Sequence, residues 1–258
     1  MLRLSVALNR TGSDMSNVRL CGTINLAAIL AAVSAAVFAP ENVTAADWPQ
    51  LQGNSHRSGN SPTEELSLNI GLIGTVPLTD GIYASPVVSG DRLYAIDGSG
   101  VVFAIDTQSL KVLWKFATAG GAGNCNNVAA PAVAGDYLHV GTAAGYYYIL
   151  DRETGEVVRR IDCQEPVFSA PAVGNGRVYF ATLGARVFCL ELGGDEVWQW
   201  DFVKEVVEFG GNRWSGADWL AHRGDRVTWR DHFVCSRDIS LVGNTVVMPC
   251  GGRTVFVE

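Results

Sequence analysis

The chain repeats part of itself, and this repetition limits its possible folds more than any other feature of the sequence. Three stretches align without gaps through their first halves, and their aligned prolines are Pro86, Pro131 and Pro171. These prolines lie 45 and 40 residues apart. An acidic residue stands 20 positions after each of them, at Asp106, Asp151 and Glu191. A degenerate fourth copy follows at 236–258.

Each repeat predicts four short β-strands. A Ser/Ala-Pro-Ala/Val-Val run forms the first, and a Gly-Asp, Asn-Gly or Gly-Asn pair supplies a tight turn to the second. Two more apolar stretches follow, joined by a turn at the acidic residue. Four strands at a period near 40–45 residues are typical of a β-propeller blade. An immunoglobulin-like sandwich would not repeat itself in this way, and a β-helix has a shorter period.

We therefore predict an all-β chain, a β-propeller of four-stranded blades that forms an incomplete ring with about four repeats present. The predicted blades lie near 83–118, 128–161, 168–203 and 236–258, with an insertion at 204–235. By the spacing of the other repeats, the acidic residue of the fourth would fall one position beyond Glu258. We expect the chain to end inside a blade, as a fragment with two open end faces.

The N-terminus predicts a targeting segment. The uncharged, alanine-rich run Ile24–Pro40 follows three arginines and is short for a spanning helix. Val43-Thr44-Ala45 then offers a small-residue exit for cleavage. We interpret 1–45 as a signal peptide and 46–258 as the propeller repeats; an uncleaved membrane anchor is the alternative. We therefore expect the protein to be exported to the periplasm or the extracellular space. After cleavage, we expect it to have no membrane-spanning segment.

Charge and motif content exclude several functions. The 19 basic and 26 acidic residues give a formal net charge of −7, which argues against a nucleic-acid partner. No Ser-His-Asp set, nucleophile elbow or pair of catalytic carboxylates can be argued from residue spacing. The sequence therefore predicts no catalytic residues.

Five cysteines lie beyond the predicted signal peptide, and no Cys-x-x-Cys pair occurs among them. A two-residue turn at Gly243-Asn244 would place Cys235 and Cys250 nearly opposite each other, so a bridge between them is our first disulfide prediction. Cys125 and Cys163 both precede the first strand of a blade and form a weaker candidate pair. Cys189 would be the odd thiol.

Local motifs in the repeats resemble those of a known family. Ala104-Ile105-Asp106, followed by Lys111 and Trp114, resembles the Ala-x-Asp-x-x-x-Gly-Lys-x-x-Trp pattern of quinoprotein (PQQ-repeat) β-propellers, with Leu110 where the family has glycine. The second copy has Arg159 in place of the tryptophan, and the third keeps Trp198. The opening Asp47–Asn54 is also similar to the mature N-terminus of this family.

The resemblance implies a fold more firmly than an activity. The family includes PQQ-dependent alcohol and sugar dehydrogenases and also non-catalytic envelope scaffolds of the outer-membrane assembly factor BamB type. In the dehydrogenases, PQQ lies on the propeller axis, often against an adjacent Cys-Cys disulfide, with a calcium ion held by carboxylates and amides. This sequence has no adjacent cysteines, and no such calcium cluster can be mapped onto it.

The resemblance therefore favours a binding scaffold of the cell envelope that has no cofactor. Its partners would be envelope proteins or missing C-terminal blades. A PQQ-dependent oxidoreductase with PQQ and calcium is the alternative.

The insertion at 204–235 is the most unusual stretch, because the other connections between repeats are about ten residues long. A long loop in a compact domain is usually functional or disordered, and three tryptophans argue against disorder. The loop either caps the propeller with its tryptophans or holds a ligand, and in the second case it would serve as a ligand sensor. The candidate ligand residues are Trp214, Asp218, Trp219, His222, Arg226, Trp229 and His232.

Overall fold

The computed structural model describes residues 47–62, 71–120, 124–224 and 228–258, and these residues fold into four antiparallel sheets in chain order. The predicted signal peptide, 1–45, lies outside the described residues. Within the described ranges, no helix is both long enough and apolar enough to cross a membrane. The sheets form an arc of four blades, which confirms the predicted all-β propeller architecture with an incomplete ring.

The strands of each blade follow one another from the inner to the outer edge. Blade 1 contains β1 (Val87–Ser89), β2 (Arg92–Ile96), β3 (Val101–Asp106) and β4 (Val112–Ala117). Blade 2 contains β5 (Ala132–Ala134), β6 (Tyr137–Gly141), β7 (Tyr146–Asp151) and β8 (Val157–Asp162). Blade 3 contains β9 (Ala172–Gly174), β10 (Arg177–Ala181), β11 (Arg186–Glu191) and β12 (Glu196–Asp201). Blade 4 contains β13 (Ser240–Val242), β14 (Thr245–Cys250) and β15 (Arg253–Val257).

The turn chemistry read from the repeats sets the register of the strands. In blade 4, Val242 pairs with Thr245 across the turn at Gly243-Asn244, as the two-residue loop predicts. Leu110, which replaces a glycine of the family pattern, also has an unusual backbone conformation. Leu110 has a φ of 57°, a left-handed conformation that the equivalent Gly155 adopts without a Cβ clash. The family glycine is therefore a conformational requirement, and this chain places a leucine there in a strained backbone.

Neighbouring blades enclose apolar layers between their faces. Tyr94 and Ile96 of blade 1 pack against Leu138 and Val140 of blade 2, and all four side chains are fully buried. Between blades 2 and 3, Tyr147 stacks on Phe180 with ring centroids 3.8 Å apart. Because both faces of a central blade are covered, its middle strands carry apolar residues at successive positions.

Hydrogen bonds at equivalent repeat positions also join the blades. The Tyr94 hydroxyl donates to the Arg152 carbonyl at 3.2 Å, and His139, one repeat later, donates through Nε2 to the Leu192 carbonyl at 3.0 Å. The Trp114 indole donates to the same Arg152 carbonyl at 3.1 Å. Arg159, which replaces this tryptophan in blade 2, donates to the equivalent turn at the Gly194 carbonyl, also at 3.1 Å. The substitution therefore keeps a contact between the blades while changing its chemistry.

The segment 47–59 crosses the inner strands of all four blades. Trp48 forms a two-bond bridge with Val88 of β1, and the Pro49 carbonyl accepts the Val133 amide of β5 at 2.7 Å. The side-chain amide of Gln50 makes two 3.0 Å hydrogen bonds to the Val173 backbone of β9. The Ser55 backbone carbonyl accepts a hydrogen bond from the Leu241 amide of β13 at 2.9 Å. One short segment thus satisfies inner-edge groups that would otherwise lack partners.

Arg57 fastens the far end of this segment. Its guanidinium donates to four backbone carbonyls, those of Leu51, Ala170, Pro171 and Ile239, at distances between 2.9 and 3.0 Å. Burial lowers the pKa of Arg57 to about 10, and the nearby Asp238 carboxylate opposes that shift. A side chain with five donors in a fixed plane is suited to this position, whereas an ammonium group cannot reach four acceptors.

We predict that Arg57→Lys destabilises the folded chain by about 2–4 kcal/mol, because it removes charge-assisted hydrogen bonds to buried carbonyls. Urea unfolding followed by tryptophan fluorescence measures the change. Arg237→Lys is the matched control, since Arg237 is exposed. Equal stability of the two variants would contradict the clamping role of Arg57.

We also predict that His139 makes stability depend on pH. Burial lowers its pKa from 6.5 to about 4 in the folded chain. The unfolded chain therefore binds the extra proton between these values. The free energy of unfolding is therefore highest above about pH 6.5. It falls by about 3 kcal/mol as the pH decreases to 4 and below. His139→Gln should remove this part of the pH dependence, whereas His56→Gln, at an exposed position, should keep it. Parallel pH profiles of unfolding for the wild type and His139→Gln would show that another group is responsible.

Candidate functional site

The insertion folds into three short helices, which the sequence analysis did not anticipate. They are α1 (Phe202–Glu205), α2 (Gly216–Arg223) and α3 (Trp229–His232). Local capping explains two of the starts: the Asp201 carboxylate accepts the first amides of α1, and the Ser215 hydroxyl accepts the Asp218 amide of α2. Gly224 ends α2 with a φ of 77°.

Asp218 is occupied by this cap. Its carboxylate accepts the Ser215 hydroxyl at 2.7 Å and the Asn212 amide at 2.9 Å. The Ser215 hydrogen bond, followed by that from Asn212, lowers the pKa of Asp218. The structure therefore gives this predicted ligand residue a role in shaping the helix start.

The aromatic side chains of the insertion form one cluster against blade 3. Trp219 is only 1% exposed and stacks between Phe209 at 3.9 Å and Phe233 at 5.6 Å. Its indole donates to the Arg213 carbonyl at 2.8 Å. Trp214 contacts Trp229 edge-to-face at 5.5 Å. Trp219 thus packs as the cap that the sequence suggested, whereas Trp214 and Trp229 border a cavity that solvent can reach.

A charged network fixes the insertion to the turn of blade 3. Arg213 donates to the Gly184 carbonyl at 2.5 Å and forms an ion pair with Asp201. On the other side of the same turn, Arg186 Nε donates to Glu165 Oε1 at 2.7 Å. Glu165 is buried, and its Oε2 packs so closely on Gly184 that a Cβ there would lie 1.8 Å away. Only glycine fits between these two networks.

Several cavities flank the aromatic cluster, and two of them are lined by residues of both the insertion and the blades. The first, which we call the basic cavity, has a volume of about 160 Å³; Arg223, His232 and Arg253 line it together with Trp219, Phe233 and two valines. The second, which we call the aromatic cleft, is an open space of about 540 Å³; its walls are Pro166, Leu183, Trp214, Trp229 and Val234, with Arg230 at its edge.

The two cavities divide the predicted site residues. Trp219 and His232 line the basic cavity, and Trp214 and Trp229 line the aromatic cleft. His222 lies against Phe209 at 5.1 Å but lines neither cavity, and Arg226 lies outside the described residues. Sequence reasoning missed Arg253, because it stands in blade 4, and Leu183, because it lies in a turn of blade 3. No local motif marks either residue.

The described residues do not fit the PQQ and calcium site that the resemblance implies. Nowhere in the described ranges do three or more His, Cys, Asp or Glu side chains come close enough together to hold a metal ion. The five described cysteines are free thiols and none is adjacent to another in sequence. No chemical step through a quinone can therefore be derived from these residues.

Neither predicted disulfide is formed in the structure. The Cys235 and Cys250 thiols are both buried and each donates to a backbone carbonyl, of Arg237 and Phe233 respectively. Burial raises the pKa of each to about 12, so both stay protonated and unreactive. In the second pair, Cys125 is exposed and Cys163 is buried, and both are free thiols.

We predict that Gly184→Ala destabilises the chain by about 2–3 kcal/mol, because the new Cβ would collide with Glu165 Oε2 and disturb the Arg186 and Arg213 contacts. Thermal unfolding measures the loss. Gly210→Ala is the matched control, since a Cβ at Gly210 meets nothing within 4 Å. A loss of the same size in both variants would contradict the close packing at Gly184.

Comparison with known proteins places these blades among named relatives. The chain is 27% identical to an outer membrane protein assembly factor BamB from Legionella pneumophila (strain Paris), over 43% of this chain and 30% of that protein. It is 24% identical to the quinohemoprotein alcohol dehydrogenase ADH-IIG of Pseudomonas putida, over 86% of this chain and 36% of that protein. The chain thus spans about a third of the length of these curated relatives.

The solved structure of the quinohemoprotein alcohol dehydrogenase ADHIIG from Pseudomonas putida HK5 superposes with a TM-score of 0.59. At 20% identity it covers 78% of this chain and 34% of the dehydrogenase, and it supports the fold alone. A PQQ-repeat family model described as "Outer membrane protein assembly factor BamB" matches residues 71–161 and 127–252. Because these matches cover more than half of its length, the chain belongs to this BamB-type family of PQQ-repeat β-propellers.

Proposed function

We propose that the protein is an exported, non-catalytic β-propeller scaffold of the cell envelope, periplasmic or extracellular, that binds protein partners. The observation that carries this proposal is the aromatic cleft. The family supports it as well, since the BamB relatives are named for outer membrane protein assembly. The acidic net charge of −7 agrees with a partner other than nucleic acid.

The aromatic cleft has the composition of a protein-binding hot spot. Trp229 is 43% exposed and stands against Trp214, while Pro166 and Leu183 supply rigid walls from the blade side. Exposed tryptophans in a preformed apolar cleft are enriched where a partner inserts an anchor residue. Arg230 at the edge adds a cation, which suits a segment with an apolar anchor and a neighbouring acidic residue.

The end faces of the arc supply a second surface, suited to further blades. On blade 4, Phe256 is 69% exposed. At the other end, an apolar groove of about 400 Å³ lies between blade 1 and the preceding segment, in which Ile73 is 85% exposed. The equivalent face of blade 2 is covered by blade 1. We propose that PQQ-type blades, the C-terminal blades expected from the repeat count, pack on these ends.

A PQQ-dependent oxidoreductase is the second candidate, because the likeness to the ADH-IIG dehydrogenase extends over 86% of this chain. The absence of a fitting donor set among the described residues weighs against it. The scaffold proposal therefore predicts that added PQQ and calcium give no dye reduction.

Photo-crosslinking tests the scaffold proposal directly. A benzoylphenylalanine at position 230, at the edge of the aromatic cleft, should give a discrete adduct with an envelope protein in the native host. The adduct should be lost when Trp214 and Trp229 are replaced by alanine. The same probe at Leu113, exposed on β4 of blade 1, is the matched control.

Two outcomes would oppose the proposal. Identical adducts from positions 230 and 113 would mean that the cleft does not select a partner. Dye reduction that requires both PQQ and calcium would establish the oxidoreductase instead.

A further inference from the structure

The basic cavity carries an inference that is independent of the scaffold proposal. We propose that it binds a small organic acid, namely a carboxylate carried on a short apolar group. The side chains of Arg223, His232 and Arg253 line it, and among the described residues no acidic side chain does. In a chain whose net charge is −7, this is a local concentration of positive charge that would attract an anion.

Arg253 is placed to meet such an anion. Its guanidinium lies over the Phe202 ring at 5.7 Å from the centroid, so its face is used in a cation–π contact. Within the described part of the chain, the structure records no hydrogen bond or ion pair from this side chain. The N–H groups lie along the edge of the guanidinium plane, and this edge can hold a carboxylate through two parallel hydrogen bonds.

His232 adds an imidazole whose orientation is fixed. Its Nδ1 lies 2.9 Å from the Thr228 carbonyl, and because a carbonyl only accepts, Nδ1 donates. This contact holds the ring in one orientation and leaves Nε2 for a ligand. Because Nδ1 carries a proton, Nε2 donates to a carboxylate only when the ring is doubly protonated. Thr228 precedes α3, so the short helix itself positions the imidazole.

The rest of the cavity explains why the ligand needs an apolar part. Trp219 and Phe233 lie nearly parallel, with an interplanar angle of 20°, and two valines complete the wall. A strongly hydrated inorganic anion would lose water against these surfaces without compensation. A carboxylate on a ring or branched chain fills both the cationic and the apolar halves of about 160 Å³.

Binding would also join two parts of the fold. Arg253 belongs to β15 of blade 4, whereas His232 and Trp219 belong to the insertion. A ligand held between them should therefore stabilise the insertion against blade 4. A ligand that binds the folded chain and not the unfolded chain raises the unfolding temperature, by an amount that grows with the logarithm of its concentration divided by Kd.

Titration calorimetry with benzoate and cyclohexanecarboxylate tests the proposal on the exported chain. We expect both acids to bind and to raise the unfolding temperature. Benzamide, benzylamine and acetate should bind at least about tenfold more weakly. Benzamide and benzylamine lack the negative charge, and acetate lacks the ring. Arg253→Gln should weaken benzoate binding by about tenfold or more, and Arg237→Gln, at an exposed position, should not.

Three results would overturn the inference. The first is no benzoate binding up to about 10 mM, an affinity weaker than useful recognition. The second is equal affinity for benzoate and benzamide, which would show that charge does not matter. The third is unchanged benzoate binding by Arg253→Gln, with circular dichroism and the unfolding midpoint confirming that the variant is folded.

Discussion

The fold depends on hydrogen bonds between the segment 47–59 and the backbone of the inner strands of the blades. An inner strand is the edge of its sheet, and an edge without partners exposes amide and carbonyl groups that favour pairing with other chains. Trp48, Pro49, Gln50 and Ser55 supply partners to the four blades in order. Arg57 then ties the segment to carbonyls that precede β9 and β13. The apolar layers between blades give the arrangement its stability, and this segment gives it a common inner border.

The insertion illustrates how packing and binding share one set of residues. Trp219 is completely enclosed, and its contacts with Phe209 and Phe233 are those of a core. Trp229, ten residues later, is 43% exposed. The difference follows the helices, since α2 buries Trp219 whereas α3 has no buried residue. An element that must be held rigidly by one face can present a binding surface with the other.

Much of the fold could be predicted from the sequence, because strands and tight turns are local features. The repeated Gly-Asp and Gly-Asn turns locate the hairpins, as the pairing of Val242 with Thr245 in blade 4 shows. The helices of the insertion were missed, because stretches of four to eight residues carry little periodicity and are held by tertiary contacts. The candidate site was only half predicted: the tryptophans are visible in the sequence, but Arg253 joins them only through the position of blade 4. The role of Arg57 also depends on carbonyls more than 100 residues away.

The course of the segment 47–59 has a consequence for how the chain acquires its structure. A row of repeats that contact only their neighbours folds like a one-dimensional array, in which each unit forms nearly independently. Here a segment that precedes blade 1 hydrogen-bonds to the start of blade 4, across a separation of 182 residues between Arg57 and Ile239. These contacts raise the contact order and link the stability of blade 1 to the completion of blade 4. These contacts therefore favour cooperative folding of the four blades, completed only after blade 4 has been synthesised.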